Sequence, residues 1–256
     1  MSQVLVEICV DSVASAIAAE RGGAARLELC SSLSEGGLTP SAGLLEITRA
    51  AVSLPIHALI RPRAGDFCYD QHDFQTMQSD IAVAKERGAS GVVFGILDPD
   101  ANVDVARTRQ LVEFSRPLSV TFHRAFDMAA DLFRALEDVC AAGADRLLTS
   151  GGQPTAILGQ DAIAQLVKRS QGRIVIIPGS GIKPENARSF IAATGTGEIH
   201  ASLRTPRPSP MRYQNPRISM GSSDIDNREY EQFSVREEDV RRLCRAVENT
   251  SENQPI

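Results

Sequence analysis

The stretch "AGADRLLTS" (residues 142–150) decides the fold, because its plan recurs along the chain. A helix-ending glycine comes first, then alanine, then a short apolar run two or three residues on. "RGGAARLEL" (21–29) and "RGASGVVFG" (87–95) repeat it. Glycine tolerates the left-handed backbone that ends a helix, and the apolar run that follows reads as a buried strand. Working outward from these three places, apolar runs occur at 4–10, 26–30, 56–60, 91–95, 118–122, 146–150, 173–177 and 198–202.

Most of these runs are separated by a helical pattern. Over 71–88, Phe74, Met77, Ile81 and Ala84 fall on one face and Gly88 sits at the end. Residues 104–115, 130–142, 158–170 and 183–194 read the same way. The runs start at a mean spacing of roughly 28 residues, the length of one βα unit with short loops. Eight such units predict an α/β fold of the (β/α)8 TIM-barrel type. A doubly wound open sheet would call for a Gly-x-Gly-x-x-Gly turn after an early strand, and the first turn here is "CVDSVAS".

The sequence predicts a single barrel domain over 1–249 with a long loop at 203–233, rich in proline (Pro206, Pro208, Pro210, Pro216) and without periodicity. Met211, Tyr213, Ile218 and Met220 punctuate that loop and predict that it packs over the barrel or on a second subunit. Ser234 and Glu237 read as a capping box opening a terminal helix over 234–248, with 250–256 a flexible tail.

Composition narrows the function. The chain has 256 residues, 43% hydrophobic and 23% charged, with a net charge of −5. That balance argues against a nucleic-acid or membrane-surface partner. No targeting segment or membrane-length apolar run stands out, and five cysteines without a Cys-x-x-Cys pair fit free thiols in the cytoplasm.

In a barrel of this type, chemistry gathers at the C-terminal ends of the strands. "VTFHRAFD" (120–127) puts His123, Arg124 and Asp127 directly after a hydrophobic strand. The first two runs bring Glu7 with Cys9 and Glu28 with Cys30. The third opens into "RPRAGDF" with Arg61, Arg63 and Asp66. The sixth ends at Ser150 and Gly151, the seventh at Gly179, Ser180 and Gly181, and the eighth carries Glu198 and His200. Period-two alternation puts Leu5, Glu7 and Cys9 on one face, and Arg26, Glu28 and Cys30 on one face. Acids in mid-strand are costly unless paired, so Glu7 and Glu28 are expected to repel or share a proton unless Arg61 or His123 neutralises them.

These types suit two chemistries. Glu7, Glu28, His123 and Arg124 are candidate catalytic groups, with Arg61, Arg63, Asp66, Ser150, Gly151, His200 and the Gly179–Gly181 loop receiving an anion. That set fits a lyase or isomerase acting on a small phosphorylated or polyol-like substrate. Cys9 and Cys30, on adjacent strands, could instead share a soft ion, and two sulfurs suit Cu(I) far better than Mg²⁺ or Ca²⁺.

"VEICVDS" (6–12), "GGAARLELCSSLSEGGLTPS" (22–41), "IRPRAGDFCY" (60–69), "GVVFG" (91–95), "TFHRAFD" (121–127), "RLLTSG" (146–151) and "EIHAS" (198–202) together resemble the CutC family of copper homeostasis proteins. The resemblance spans nearly the whole chain in order. It implies a TIM barrel, a cytoplasmic homodimer or homotetramer, and Cu(I) binding through Cys9 and Cys30. Relatives often have three glycines where this chain has Gly179, Ser180 and Gly181, and some have a cysteine at the position of Ala201.

Overall fold

The computed structural model describes residues 4–215, 217–218 and 230–248. Its strands are β1 (Leu5–Val10), β2 (Arg26–Leu29), β3 (Ile56–Leu59), β4 (Gly91–Phe94), β5 (Ser119–Phe122), β6 (Arg146–Thr149), β7 (Val175–Pro178) and β8 (Glu198–Ala201), followed by β9 (Arg204–Pro208) and β10 (Glu231–Val235). The helices are α1 (Val13–Arg21), α2 (Ala42–Ala51), α3 (Gln71–Glu86), α4 (Val105–Ser115), α5 (Leu132–Ala142), α6 (Gln160–Ser170), α7 (Pro184–Thr194) and α8 (Glu237–Glu248). The first eight strands form one parallel sheet in the order β7-β6-β5-β4-β3-β2-β1-β8. Curled round, it makes a nearly closed (β/α)8 barrel, and the Thr196 hydroxyl crosses the β7–β8 seam to the Ile176 carbonyl at 2.9 Å.

At α5 the repeated glycine signature has the expected cause, whereas α1 ends on Gly22 at φ −75° and the left-handed residue there is Gly23. Gly143 ends α5 in the left-handed region at φ +87°, and its N–H returns to the Cys140 carbonyl. Asp145 then hands the chain to β6, its N–H on the Val120 carbonyl.

The hydrophobic core lies between the sheet and its helices. Ile8, Leu27, Ile56, Val92, Phe94, Val120, Phe122, Leu147, Ile176 and Ile199 face outward from the strands onto that shell. The barrel lumen takes the other face of each strand. It is mostly polar, with one small apolar patch of Cys9, Cys30, Leu59 and Val93.

The C-terminal segment departs from the sequence reading. The 203–233 stretch, expected to be a loop, contains β9 and pairs it antiparallel with β10, from Arg204↔Val235 to Pro208↔Glu231. Proline hid the strand, since it cannot donate to a ladder; in a two-stranded ribbon such donors can face solvent. The last helix starts at Glu237, not at 234. Ser234 belongs to β10, and the Arg236 carbonyl receives the first helical N–H groups. The ribbon and α8 dock on α1, with the Val235 N–H donating to Ser15 Oγ at 3.2 Å. This explains why α1 buries only Ser15, Ala16 and Ala19: a helix packed between the sheet and α8 has no room for larger side chains. Pro216, Met220 and the expected tail at 250–256 lie outside the described residues.

Candidate functional site: the barrel lumen and its mouth

Parallel register places the lumen side chains. Glu7 stands level with Arg26 and with His200, and Cys9 with Glu28, itself level with His57. At the lower end Arg26 donates to a Glu7 oxygen and, at 2.6 Å, to Glu198. Arg146 reaches Glu198 at 3.2 Å and the Ser119 hydroxyl at 2.6 Å. One layer higher, His200 Nδ1 sits 2.8 Å from the other Glu7 oxygen, and its Nε2 faces Glu28 at 3.8 Å.

The expectation that Arg61 or His123 neutralises the two acids is therefore corrected. Arg26 and His200 do so, because the staggered strands bring β2 and β8 side chains onto Glu7 while β3 and β5 contribute at the mouth. Burial works against the Glu7 charge, but the His200 hydrogen bond and Arg26 overcome it and hold Glu7 well below the usual carboxylate range. Glu28 is raised, by burial and then by the Glu7 charge, against the pull of His200. Burial opposes the His200 charge, yet Glu28 and Glu7 outweigh it and raise the imidazole.

Three histidines enter the lumen where a neighbouring strand offers glycine. A Cβ on Gly91 would lie 2.5 Å from the His57 ring, and one on Gly95 would lie 2.6 Å from His123 Nδ1. One on Gly179 would meet Leu148 at 2.7 Å and His200 at 3.3 Å. Burial, aided by Arg26 and Arg146, lowers His57 to about 4. Burial and the Arg61 charge lower His123 to about 3. Both rings are neutral at physiological pH.

Above these layers a cavity of about 520 Å³ opens at the C-terminal ends of the strands. Cys9, Glu28, Arg61, His123, Arg124, Ser180, Gly181 and His200 line it. Glu7 does not; it lies a layer beneath, 1% exposed. Cys30 is fully buried behind Cys9, the sulfurs 3.6 Å apart. Burial, the Cys30 contact and the Glu28 charge together push the Cys9 thiol well above its ordinary value, with the Cys30 hydrogen bond foremost. The Cys9 sulfur, a Glu28 oxygen and a His200 nitrogen lie within 4.8 Å of one another, close enough to hold a metal ion.

Several expected residues sit elsewhere. Arg63 turns outward to Asp66 and Asp73, and neither Arg63 nor Asp66 lines the cavity. Ser150 and Gly151 serve a loop clamp: Asp127 accepts from the Ser150 and Gly152 N–H groups and from the Thr149 hydroxyl, and Arg124 bridges Asp127 to Ser150. The Gly179 N–H is spent on the Thr149 carbonyl at 2.9 Å, so it is not free for an anion. The sequence reading put Arg26 on the face of Glu28 without giving it a role, and it missed Arg146. It also missed Phe67, which carries the Arg61 guanidinium 5.0 Å above its ring and packs against His123 at 5.0 Å. The alternation that flagged Glu28 also placed Arg26 on the same face and was the available signal.

Fold and lumen define a TIM barrel with a buried thiol, carboxylate and imidazole group at its mouth. The CutC family profile matches residues 4–205, and the chain belongs to the CutC family. It is 46% identical over 244 residues to a family protein CutC from Chromobacterium violaceum, covering 95% of this chain and 98% of that one. It is 47% identical over 219 residues to the human copper homeostasis protein cutC homolog, covering 86% of this chain and 80% of that one. A CutC crystal structure from Streptococcus agalactiae superposes with a TM-score of 0.74 at 29% identity, covering 78% of this chain and 98% of that one. Among the described residues no helix is long and apolar enough to cross a membrane.

Proposed function

We propose that the protein handles copper by holding Cu(I) between Cys9 and Cys30. The observation that carries this reading is the pair of sulfurs 3.6 Å apart on neighbouring strands, in an apolar patch at the inner wall of the cavity. Soft thiolates select Cu(I), and Leu59 and Val93 keep water from the pair. Ala201 offers no third thiol, so a third donor would come from His200 or Glu28. The ion enters through the cavity past Cys9 and displaces the thiol protons of Cys9 and Cys30 on binding. We also place the protein in the cytoplasm as a homodimer or homotetramer, which light scattering on the purified protein tests. Competition with a chromophoric Cu(I) probe tests the site. Cys9→Ser or Cys30→Ser should each abolish stoichiometric Cu(I) binding, and His123→Asn should leave it intact. Binding that survives loss of both cysteines overturns the assignment.

A second reading, an enzyme acting on a small phosphorylated or polyol-like substrate, is favoured by one arrangement. Glu7, His200 and Glu28 form a carboxylate–imidazole–carboxylate chain that ends in the cavity. Such a chain orients and moves a proton, a capacity that ion storage does not need. In this reading Glu28 and His200 exchange the proton, with Glu7 orienting the ring from beneath. Glu28→Gln should then eliminate turnover while sparing the fold, and full turnover in that variant rejects it.

A further inference from the structure

We propose that the β3–β5 side of the cavity receives the oxyanion of a small organic ligand, held by the Arg61 guanidinium and the Nε2–H of His123. The inference rests on the second reading above and deepens it by naming the ligand class: short carbon compounds ending in carboxylate or phosphate.

The case begins with Arg61. Only 6% of it is exposed. Its terminal nitrogens donate to the carbonyls of Glu35 at 2.6 Å, Gly37 at 2.9 Å and Gly65 at 2.8 Å. Those partners are neutral, and its Nε has no acceptor. Among the described residues no carboxylate lies within ion-pair distance of it. The neighbouring Tyr69 phenol is pushed up to about 12, chiefly by burial, and supplies no counter-charge. A buried cation without a counter-ion is costly and calls for an anion.

His123 makes an independent case. It is 5% exposed, and its Nδ1 accepts the Ala125 N–H at 3.2 Å. In a neutral ring the proton must then sit on Nε2, and Nε2 has no partner. Gly95 provides the space that sets this ring position. Phe67 lies against both groups and fixes them on one wall.

Two buried, unanswered N–H donors and one unanswered positive charge thus lie in that wall. A metal ion would be repelled there, and a hydroxyl would leave the charge uncompensated. An oxyanion satisfies all three. Among the apolar lining residues, Leu59, Leu148 and Ile182 suit a short carbon body, and a volume of about 520 Å³ falls within the range of small-molecule sites. Arg124 and Arg204 are engaged by Asp127 and Asp11. Lys183, on the opposite rim, makes no ion pair among the described residues and is the competing anchor.

The test reads binding, so it can fail separately from catalysis. The full-length protein, ¹⁵N-labelled at histidine, is titrated with 2-phosphoglycolate, inorganic phosphate and glycolate, by calorimetry and by NMR of the ring nitrogens. Saturable binding of at least one probe is expected, with the His123 Nε2–H signal moving downfield. Phosphate or glycolate acting alone identifies the preferred oxyanion. His123→Asn keeps an acceptor for the Ala125 N–H but draws the donor back from the Nε2 position, and should weaken binding about tenfold, the loss of one charge-assisted hydrogen bond. His123→Gln restores an N–H at the same reach and should recover most of the affinity. Arg61→Lys should weaken binding comparably; if that variant does not fold, the wild-type His123 shift decides. No saturable binding at millimolar probe, an unmoved His123 signal, or binding lost only with Lys183→Ala overturns the inference. Probe binding without turnover of any candidate substrate leaves it standing and counts against the enzymatic reading.

Discussion

Replacing His123 by asparagine and unfolding both proteins across pH isolates one buried proton site. The folded ring sits at about 3, lowered by burial and by the Arg61 charge, against about 6.5 in an unfolded chain. The unfolded state therefore takes the proton first as pH falls. Stability from the neutral ring is fully present above the unfolded value and drains away below it, at about 1.4 kcal/mol per pH unit. Between pH 6 and pH 4 the wild type should lose about 2.5 kcal/mol that the variant does not. Glu7, Glu28, His57 and His200 titrate in both proteins, so their contributions cancel in the difference. Urea unfolding at half-unit steps, followed by circular dichroism, measures it. The absolute stability of the variant is immaterial, because only the slope is read. Parallel profiles would refute the reasoning, since they require His123 to be as easily charged in the barrel as in water.

Three further outcomes follow from the geometry. Glu7→Gln leaves Arg26 and His200 facing a neutral amide in a dry layer, and should cost about 3–5 kcal/mol by denaturant melt; a loss below 1 kcal/mol, within the reach of an exposed pair, contradicts the layer described here. Gly91→Ala puts a methyl 2.5 Å from the His57 ring and should cost about 1–3 kcal/mol through overpacking, seen as a lower melting temperature. Cu(I) affinity should climb about tenfold per pH unit for each thiol proton that binding expels from Cys9 and Cys30; a flat competition titration between pH 6 and 8 would show that no thiol is deprotonated on binding and would reject the two-sulfur site.

The barrel was legible because its signals are local. A glycine that ends a helix and an apolar run after it are read in one window, and they recur at Gly22, Gly88 and Gly143. The mouth residues Glu28, Arg61, His123 and His200 were legible for a related reason: a polar residue at the end of a buried strand is conspicuous. The pairing of charges was not legible. Which cation meets Glu7 depends on stagger between strands, and stagger is a property of the closed sheet that no single window carries. The same holds for Gly95 and Gly179, whose meaning comes from rings on other strands. The β9–β10 ribbon was hidden by Pro206 and Pro208, which obscured the alternation that would have marked it.

The separation of the two interiors has a consequence for how this scaffold can change. Greasy packing between sheet and helices holds the molecule together, while the lumen is written in charges, thiols and imidazoles carried on the opposite face of the same strands. Mutations in the lumen are thus insulated from the main cohesive layer so long as each charge keeps its partner. Arg26 with Glu7 and Glu198, or a histidine with its facing glycine, would drift or be redesigned as a set. A library that randomises whole layers of the tube, instead of single sites, is the natural way to give such a barrel a new ligand.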